Sequence, residues 1–272
     1  MESLFIDLLG ARSANLAQSK GAVKKGGACR SYTNGESELR QTSRPGKRLH
    51  RVRRGHRVHG EDEMGNEREI KLKVADGKAL KKALGRLRAK PVGTGNGRVH
   101  EWNVIFDTPQ CGLAKHGQLL RIRKETPEGK PKKGAAARIV LTFKKPAVGA
   151  EGDGRGHKVR EEIETEVTDA AALQGIFEGL GMSGWFSYEK FRTTMKLPGA
   201  AKWAKDLVIE LDETPVGTFV ELEGPAEAID RAARELGYSK QDYVTKSYLA
   251  LYLEECRKRG EAPKNMVFGK SK

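Results

Sequence analysis

Glu67, Glu69 and Lys71 recur at every second position of Glu67-Arg68-Glu69-Ile70-Lys71, inside a segment that otherwise reads as a β-strand. Alternate side chains of a strand share one face. Two carboxylates and an ammonium group therefore point together, while Ile70, Leu72 and Val74 make the opposite face apolar. A charged face of this kind needs water or ions against it, because buried unpaired charge is costly. The alternation returns along the chain. Arg121 pairs with Arg123, Arg138 and Thr142 with Lys144, Arg160 with Glu162 and Glu164, Lys190 with Arg192, Glu210 with Asp212, and Glu221 with Glu223. One such strand is ordinary polar-out patterning. Seven, several of them carrying paired like charges, predict that opposite charges are brought against them.

If these strands close into a barrel, Lys71, Arg121, Arg123, Lys144, Arg160, Lys190 and Arg192 line a tunnel opposite Glu67, Glu69, Glu162, Glu164, Asp212, Glu221 and Glu223. Basic side chains in this number suit a polyphosphate, whose oxygens Arg grips bidentately. The carboxylates would repel that anion unless a cation stood between them. Hard oxygen ligands without His or Cys select Mg2+ or Mn2+. The expected ligand is a metal-bound di- or triphosphate, and the chemistry phosphoryl or nucleotidyl transfer. The competing reading is a structural barrel whose ions neutralise one another.

The elements that must position these side chains are strands interrupted by four helices. Apolar stripes predict helices over 79–90, over 169–180 with Thr168 or Asp169 as cap, over 225–236 and over 246–258, the last closing at Gly260. They suit the apolar outer faces of the strands. Segments 124–136 and 145–157 are rich in Gly, Pro and Lys and read as hairpin loops. Gly93-Thr94-Gly95-Asn96-Gly97 lacks the GxxxxGK[ST] pattern and reads as a flexible loop. None of the six histidines shows metal-binding spacing.

Composition sets the outer limits. The 272 residues carry a formal net charge of +15. Residues 1–63 hold 13 basic and 7 acidic residues without sustained periodicity, and read as a disordered basic extension. Its cluster over 47–57 could neutralise phosphates, so nucleic acid is a partner to consider there, and Met64 is a candidate natural start. The expected tunnel domain runs over 64–260, followed by a flexible tail over 261–272. Cys29, Cys111 and Cys256 form no CxxC pair, so neither a zinc ribbon nor a disulfide framework is indicated. No apolar run is long enough to cross a bilayer. A cytoplasmic protein without a membrane partner, monomeric or homodimeric, is expected.

At these residues the chain resembles the CYTH superfamily of triphosphate tunnel metalloenzymes, which includes class IV adenylyl cyclases, thiamine triphosphatases and inorganic triphosphatases. Glu67, Glu69 and Lys71 match ExExK; Ile105-Phe106-Asp107-Thr108-Pro109 resembles YFDTP; Leu120–Arg123 resembles LRxR; Leu141–Lys144 resembles LTxK. Arg160, Glu162 and Glu164 resemble RxExE, Glu189–Arg192 resembles EKxR, Glu221 and Glu223 a late ExE strand, and Lys246-Ser247-Tyr248 a C-terminal KSY. The resemblance implies an α+β, mainly β protein: an eight-stranded antiparallel β-barrel forming a charged tunnel, its outer face covered by helices.

It also implies Mg2+ or Mn2+ held by Glu67, Glu69, Asp212, Glu221 and Glu223. The triphosphate-containing small molecule would be held by Lys71, Arg121, Arg123, Lys144, Arg160, Lys190, Arg192 and Lys246, with Glu162, Glu164 and Lys71 catalytic. Ile105 stands where many members carry a Tyr proposed to help activate water. The expected function is a divalent-metal-dependent hydrolase of inorganic, thiamine or nucleoside triphosphate. The alternatives are a class IV adenylyl cyclase, which needs a site for the adenine, and a protein that binds polyphosphate or nucleic acid without turnover.

Overall fold

The computed structural model describes residues 66–93, 96–129, 137–147, 156–199 and 201–269, all within the unit Val58–Lys272. The basic extension, its cluster over 47–57, the Met64 start and the centres of both Gly/Pro/Lys-rich loops lie outside the described residues.

Eight strands close on themselves, as expected from the charge alternation and the family resemblance. They are β1 (Asn66–Lys73), β3 (Arg98–Asp107), β4 (Leu119–Pro127), β5 (Arg138–Pro146), β6 (Lys158–Val167), β7 (Ser183–Lys196), β8 (Val208–Thr214) and β9 (Gly217–Glu223). The order is β1-β6-β5-β4-β3-β7-β8-β9, and β9 pairs back onto β1, every contact antiparallel. Two-residue strands β2 (Lys90–Pro91) and β10 (Tyr243–Val244) add to β7 and β1. Closure pairs every strand on both sides over part of its length, and the pleat sends one set of side chains inward and the other outward.

The outward set is covered by helices. Ile70 and Leu72 of β1, Ile209 of β8, and Val220 and Leu222 of β9 pack under α1 (Gly77–Arg86) and α4 (Ala226–Glu235), which contribute Leu80, Ala83, Ile229, Ala232 and Ala233. The alanines let α4 lie close to the sheet, and each fully buried Leu or Ile contributes about 1.5–3 kcal/mol. On the other side, Phe177 of α3 (Ala170–Gly179) meets Phe106 and Ile122. Side-chain caps fix the starts: Asp76 accepts from the amides of Lys78 and Ala79, Asp169 from Ala172, and Ser247 from Ala250 at the head of α5 (Tyr248–Arg259).

Tertiary contacts move several boundaries. α1 starts two residues early on its Asp76 cap and stops at Arg86, because Lys90–Pro91 leave to pair with β7. The short α2 (Gly112–Lys115), which no periodicity announces, hangs on the Asp107 carboxylate, which accepts from Leu113 N at 2.9 Å and Ala114 N at 3.0 Å. The segment expected as a flexible tail is largely exposed over 261–269 but is anchored at Met266. Met266 is 1% exposed, its amide donates to Ser187 O, and its carbonyl accepts from Glu189 N. The reason lies in β7, which is 14 residues long, whereas β8 pairs only with Phe191–Met195. The C-terminal segment satisfies part of the remaining edge.

Candidate functional site in the barrel interior

Strand register, more than sequence proximity, pairs the charges. Lys71 lies opposite Glu221, Lys144 opposite Glu162, Glu101 opposite Lys190, Arg192 opposite Asp212, Glu67 opposite Arg160 and Glu69 opposite Lys158. Cross-strand neighbours are close enough for their side chains to meet directly. Lys71 Nζ lies 3.2 Å from Glu69 Oε1 and 3.1 Å from Glu221 Oε1, and Lys158 Nζ is 2.6 Å from Glu69. Lys144 contacts Glu67, and Glu162 at 3.2 Å. Across the barrel, Arg123 and Arg121 face Glu164 at 3.2 and 3.6 Å, and the Thr142 hydroxyl donates to Glu164 at 2.8 Å.

A second cluster centres on Asp212, which is fully buried. Its carboxylate accepts from Lys190 Nζ at 2.7 Å, Arg192 Nε at 2.7 Å, Arg192 Nη2 at 2.6 Å and the Tyr248 hydroxyl at 2.8 Å. The Tyr248 ring, at the first position of α5, stands 5.3 Å from Lys71 Nζ and 5.2 Å from Lys190 Nζ. Beyond it, Ile105, Phe186, Tyr188, Phe219 and Met266 join Tyr248 in an apolar cluster. Ionic and apolar groups thus adjoin inside the barrel, where Ile105 lies opposite Arg121 and Arg121 donates to the Tyr188 hydroxyl at 3.0 Å.

Burial and neighbours pull the ionisable groups apart. Burial alone would push the Glu69 carboxyl up, but Lys71 and Lys158 outweigh it and hold the group well below its usual range. Glu101 is likewise held low against burial, by Lys190, Arg123 and Arg192. Lys71 is raised, because Glu221 and Glu69 outweigh its desolvation. Glu67 moves the other way: burial pushes it up, and Glu69 and Glu162 add to this against Lys144. Glu210, beside Arg192, is pushed up to about 7 by burial, with Glu221 and Asp212 adding to it.

A family model described as the CYTH domain matches residues 65–248, which contain every strand of this barrel. The chain belongs to the CYTH family. Against curated proteins it finds no significant sequence match. Among solved structures, a candidate adenylate cyclase of Vibrio parahaemolyticus is similar at 18% identity and TM-score 0.54, the match covering 69% of this chain and 98% of that one. PH1819 of Pyrococcus horikoshii is similar at 22% identity and TM-score 0.53, covering 70% and 98%. At these identities the likeness shows the fold. HpAC1 of Hippeastrum, described as a candidate adenylyl cyclase with a dominant triphosphatase activity, is 20% identical at TM-score 0.46, covering 72% and 97%.

Most side chains picked out by alternation meet inside this CYTH barrel; three do not take the places expected. Lys246 is 55% exposed at its side chain and pairs with Glu254 at 2.6 Å, outside the tunnel, because α5 begins at Tyr248 and turns Tyr248 inward instead. Arg160 sends its guanidinium to the Gly117 carbonyl, bracing the loop before β4. Asp212, expected among the metal ligands, has both oxygens occupied by four donors and acts as the anchor of Lys190, Arg192 and Tyr248.

Conversely, Glu101, Asn103, Lys158, Tyr188, Glu210 and Tyr248 belong to the interior and were absent from the expected site. Glu101 and Asn103 carry the same period-2 alternation on β3, immediately before the Ile105–Pro109 segment. Lys158 and Tyr188 each lie two residues before an assigned side chain, and so on the same face.

The resemblance to triphosphate tunnel metalloenzymes implies a divalent cation, and the residues it assigns are of a type that could hold one. Glu67, Glu69, Glu221 and Glu223 are hard oxygen donors without a nearby imidazole or thiolate among the assigned side chains. Glu69 lies opposite Glu223 and Glu210 opposite Glu221, like-charge pairs that a cation would relieve. Among the described residues no three such side chains already converge on one point, since Glu69 and Glu221 are turned onto Lys71.

Proposed function

We propose that this CYTH protein is a divalent-metal-dependent hydrolase of a triphosphate-containing substrate. One observation carries the proposal. Lys71, Arg121, Arg123, Lys144, Lys190 and Arg192, from β1, β4, β5 and β7, project into one barrel and face one another across its interior. A linear triphosphate offers the run of anionic oxygens that such an array can grip.

Glu67, Glu69, Glu221 and Glu223 would hold Mg2+ or Mn2+, which when bound neutralises phosphate charge and polarises phosphoryl oxygens. The remaining work falls to the protein. Arg121, Arg123, Lys190 and Arg192 stabilise charge developing on the equatorial oxygens of the transferring group. Glu164, oriented by Thr142 and Arg123, and Glu162, beside Lys144, are the carboxylates assigned to take a proton from water. As the water oxygen bonds to the terminal phosphorus, the bond from phosphorus to the bridging oxygen breaks. From tripolyphosphate the products are orthophosphate and diphosphate. Lys71 and Lys144 neutralise the departing oxygen.

The test is to incubate the full chain with Mg2+ or Mn2+ and, separately, tripolyphosphate, thiamine triphosphate and ATP, and to resolve the products. Orthophosphate release is expected. Cyclic AMP with pyrophosphate from ATP would replace this reading with a class IV adenylyl cyclase. Metal-dependent binding without turnover would replace it with a polyphosphate-binding role. Glu67→Ala and Glu223→Ala should each remove metal-dependent turnover while leaving the circular-dichroism spectrum unchanged; full activity in both refutes the metal assignment.

A further inference from the structure

Asn103 is fully buried on the inward face of β3, and neither its Oδ1 nor its Nδ2 has a hydrogen-bond partner among the described residues. A buried polar side chain with both atoms unsatisfied is rare, because desolvation is uncompensated. A leucine has the same branched outline and would leave no amide unsatisfied there. Asn103 also stands at a boundary. On one side Glu101 contacts Lys190 at 3.5 Å and Arg123 at 3.8 Å; on the other Ile105 enters the apolar cluster with Tyr188 and Phe219. Across the strands its direct neighbours are Arg123 and Tyr188. Unmet capacity lies nearby, since Arg121 Nε also lacks a hydrogen-bond partner among the described residues, whereas Arg123 Nε is ion-paired with Glu125 at 2.9 Å.

Resting on the proposed polyphosphate tunnel, we infer that Asn103 is a substrate-binding residue: its Nδ2–H donates to a phosphoryl oxygen of a condensed phosphate gripped by Arg123 and Lys190. The amide adds a directed donor without further positive charge between Glu101 and Ile105. It is the last polar side chain of β3 before Ile105, which lies opposite Arg121.

The experiment measures tripolyphosphate binding, with the non-hydrolysable methylene-bridged form as ligand, by calorimetry in Mg2+, so that affinity is read without turnover, together with the melting temperature of ligand-free protein. Asn103→Leu should melt at or above the parent temperature, having lost an unsatisfied amide, and bind tripolyphosphate at least about tenfold more weakly, as expected for one hydrogen bond to a charged group. Asn103→Ser, which keeps a shorter donor, should bind between the two. Equal affinity in Asn103→Leu and parent overturns the role, as does a lowered melting temperature without loss of affinity. Should Asn103→Leu fail to fold, Asn103→Ser decides, with unchanged affinity again overturning it. Failure of the parent itself to bind tripolyphosphate overturns the tunnel reading, and the role of Asn103 with it.

Discussion

Asp212→Asn separates anchoring from metal binding. The carboxylate is fully buried and accepts four hydrogen bonds of 2.6–2.8 Å, three of them from the cationic side chains of Lys190 and Arg192. The amide removes the negative charge and turns an N–H toward some of these donors. Breaking a buried ion pair by removing one partner costs about 3–5 kcal/mol, because the other charge is left uncompensated. Arg192 keeps Glu210 and Glu221, which argues for the lower end; Lys190 keeps the longer ion pair to Glu101 and the Tyr248 ring. For a domain of this size each kcal/mol shifts the melting temperature by roughly 2–4 °C, so a fall of about 6–20 °C is expected. The assay is thermal unfolding at neutral pH followed by circular dichroism, paired with a Mg2+ titration of the folded variant. A variant that melts within about 2 °C of the parent while losing Mg2+ affinity would refute the anchoring assignment and restore Asp212 as a ligand.

Other outcomes follow from the same interior. Glu69, Glu101 and Glu221 have carboxyls lowered in the folded state by buried cations, so the stability they contribute is present above their unfolded value of 4.5 and lost as pH falls below it. Glu210 has the opposite sign: raised to about 7, it removes stability as pH rises from 4.5 through that value. The melting temperature should therefore rise modestly from pH 8 to about 5 and fall steeply below 4.5, with the rise diminished in Glu210→Gln; a monotonic increase with pH through this range contradicts the assignment of Glu210. Lys246→Ala should leave tripolyphosphate affinity within about twofold of the parent, since its ion pair with Glu254 is solvent-exposed, whereas Lys144→Ala should lower affinity by tenfold or more on the order expected for a charge-assisted contact. Equal losses in both would place Lys246 in the tunnel.

Period-2 alternation made inward side chains of β1, β4, β5, β6, β7, β8 and β9 legible from the chain alone, because a strand's pleat is a local property. It marked Glu67, Glu69 and Lys71 as sharing a face, and the order of the motifs pointed to a CYTH barrel. Helix starts were legible to within two residues where a cap acts through neighbouring amides, as at Asp169 and Ser247. Partnership was not legible. Which carboxylate meets which cation depends on register between strands as distant as β1 and β9, and Lys71 finds Glu221 only because that register brings them opposite one another.

The same holds for residues whose roles changed. Lys246 and Tyr248 lie two residues apart, and only the docking of α5 turned Tyr248 inward and Lys246 out. Met266 carries no local pattern, and its burial follows from the edge that β7 extends beyond β8. Charge and alternation are written in the sequence because they belong to single residues and their neighbours; pairing, desolvation and the unmet hydrogen bonds of Asn103 exist only once the barrel has closed around them.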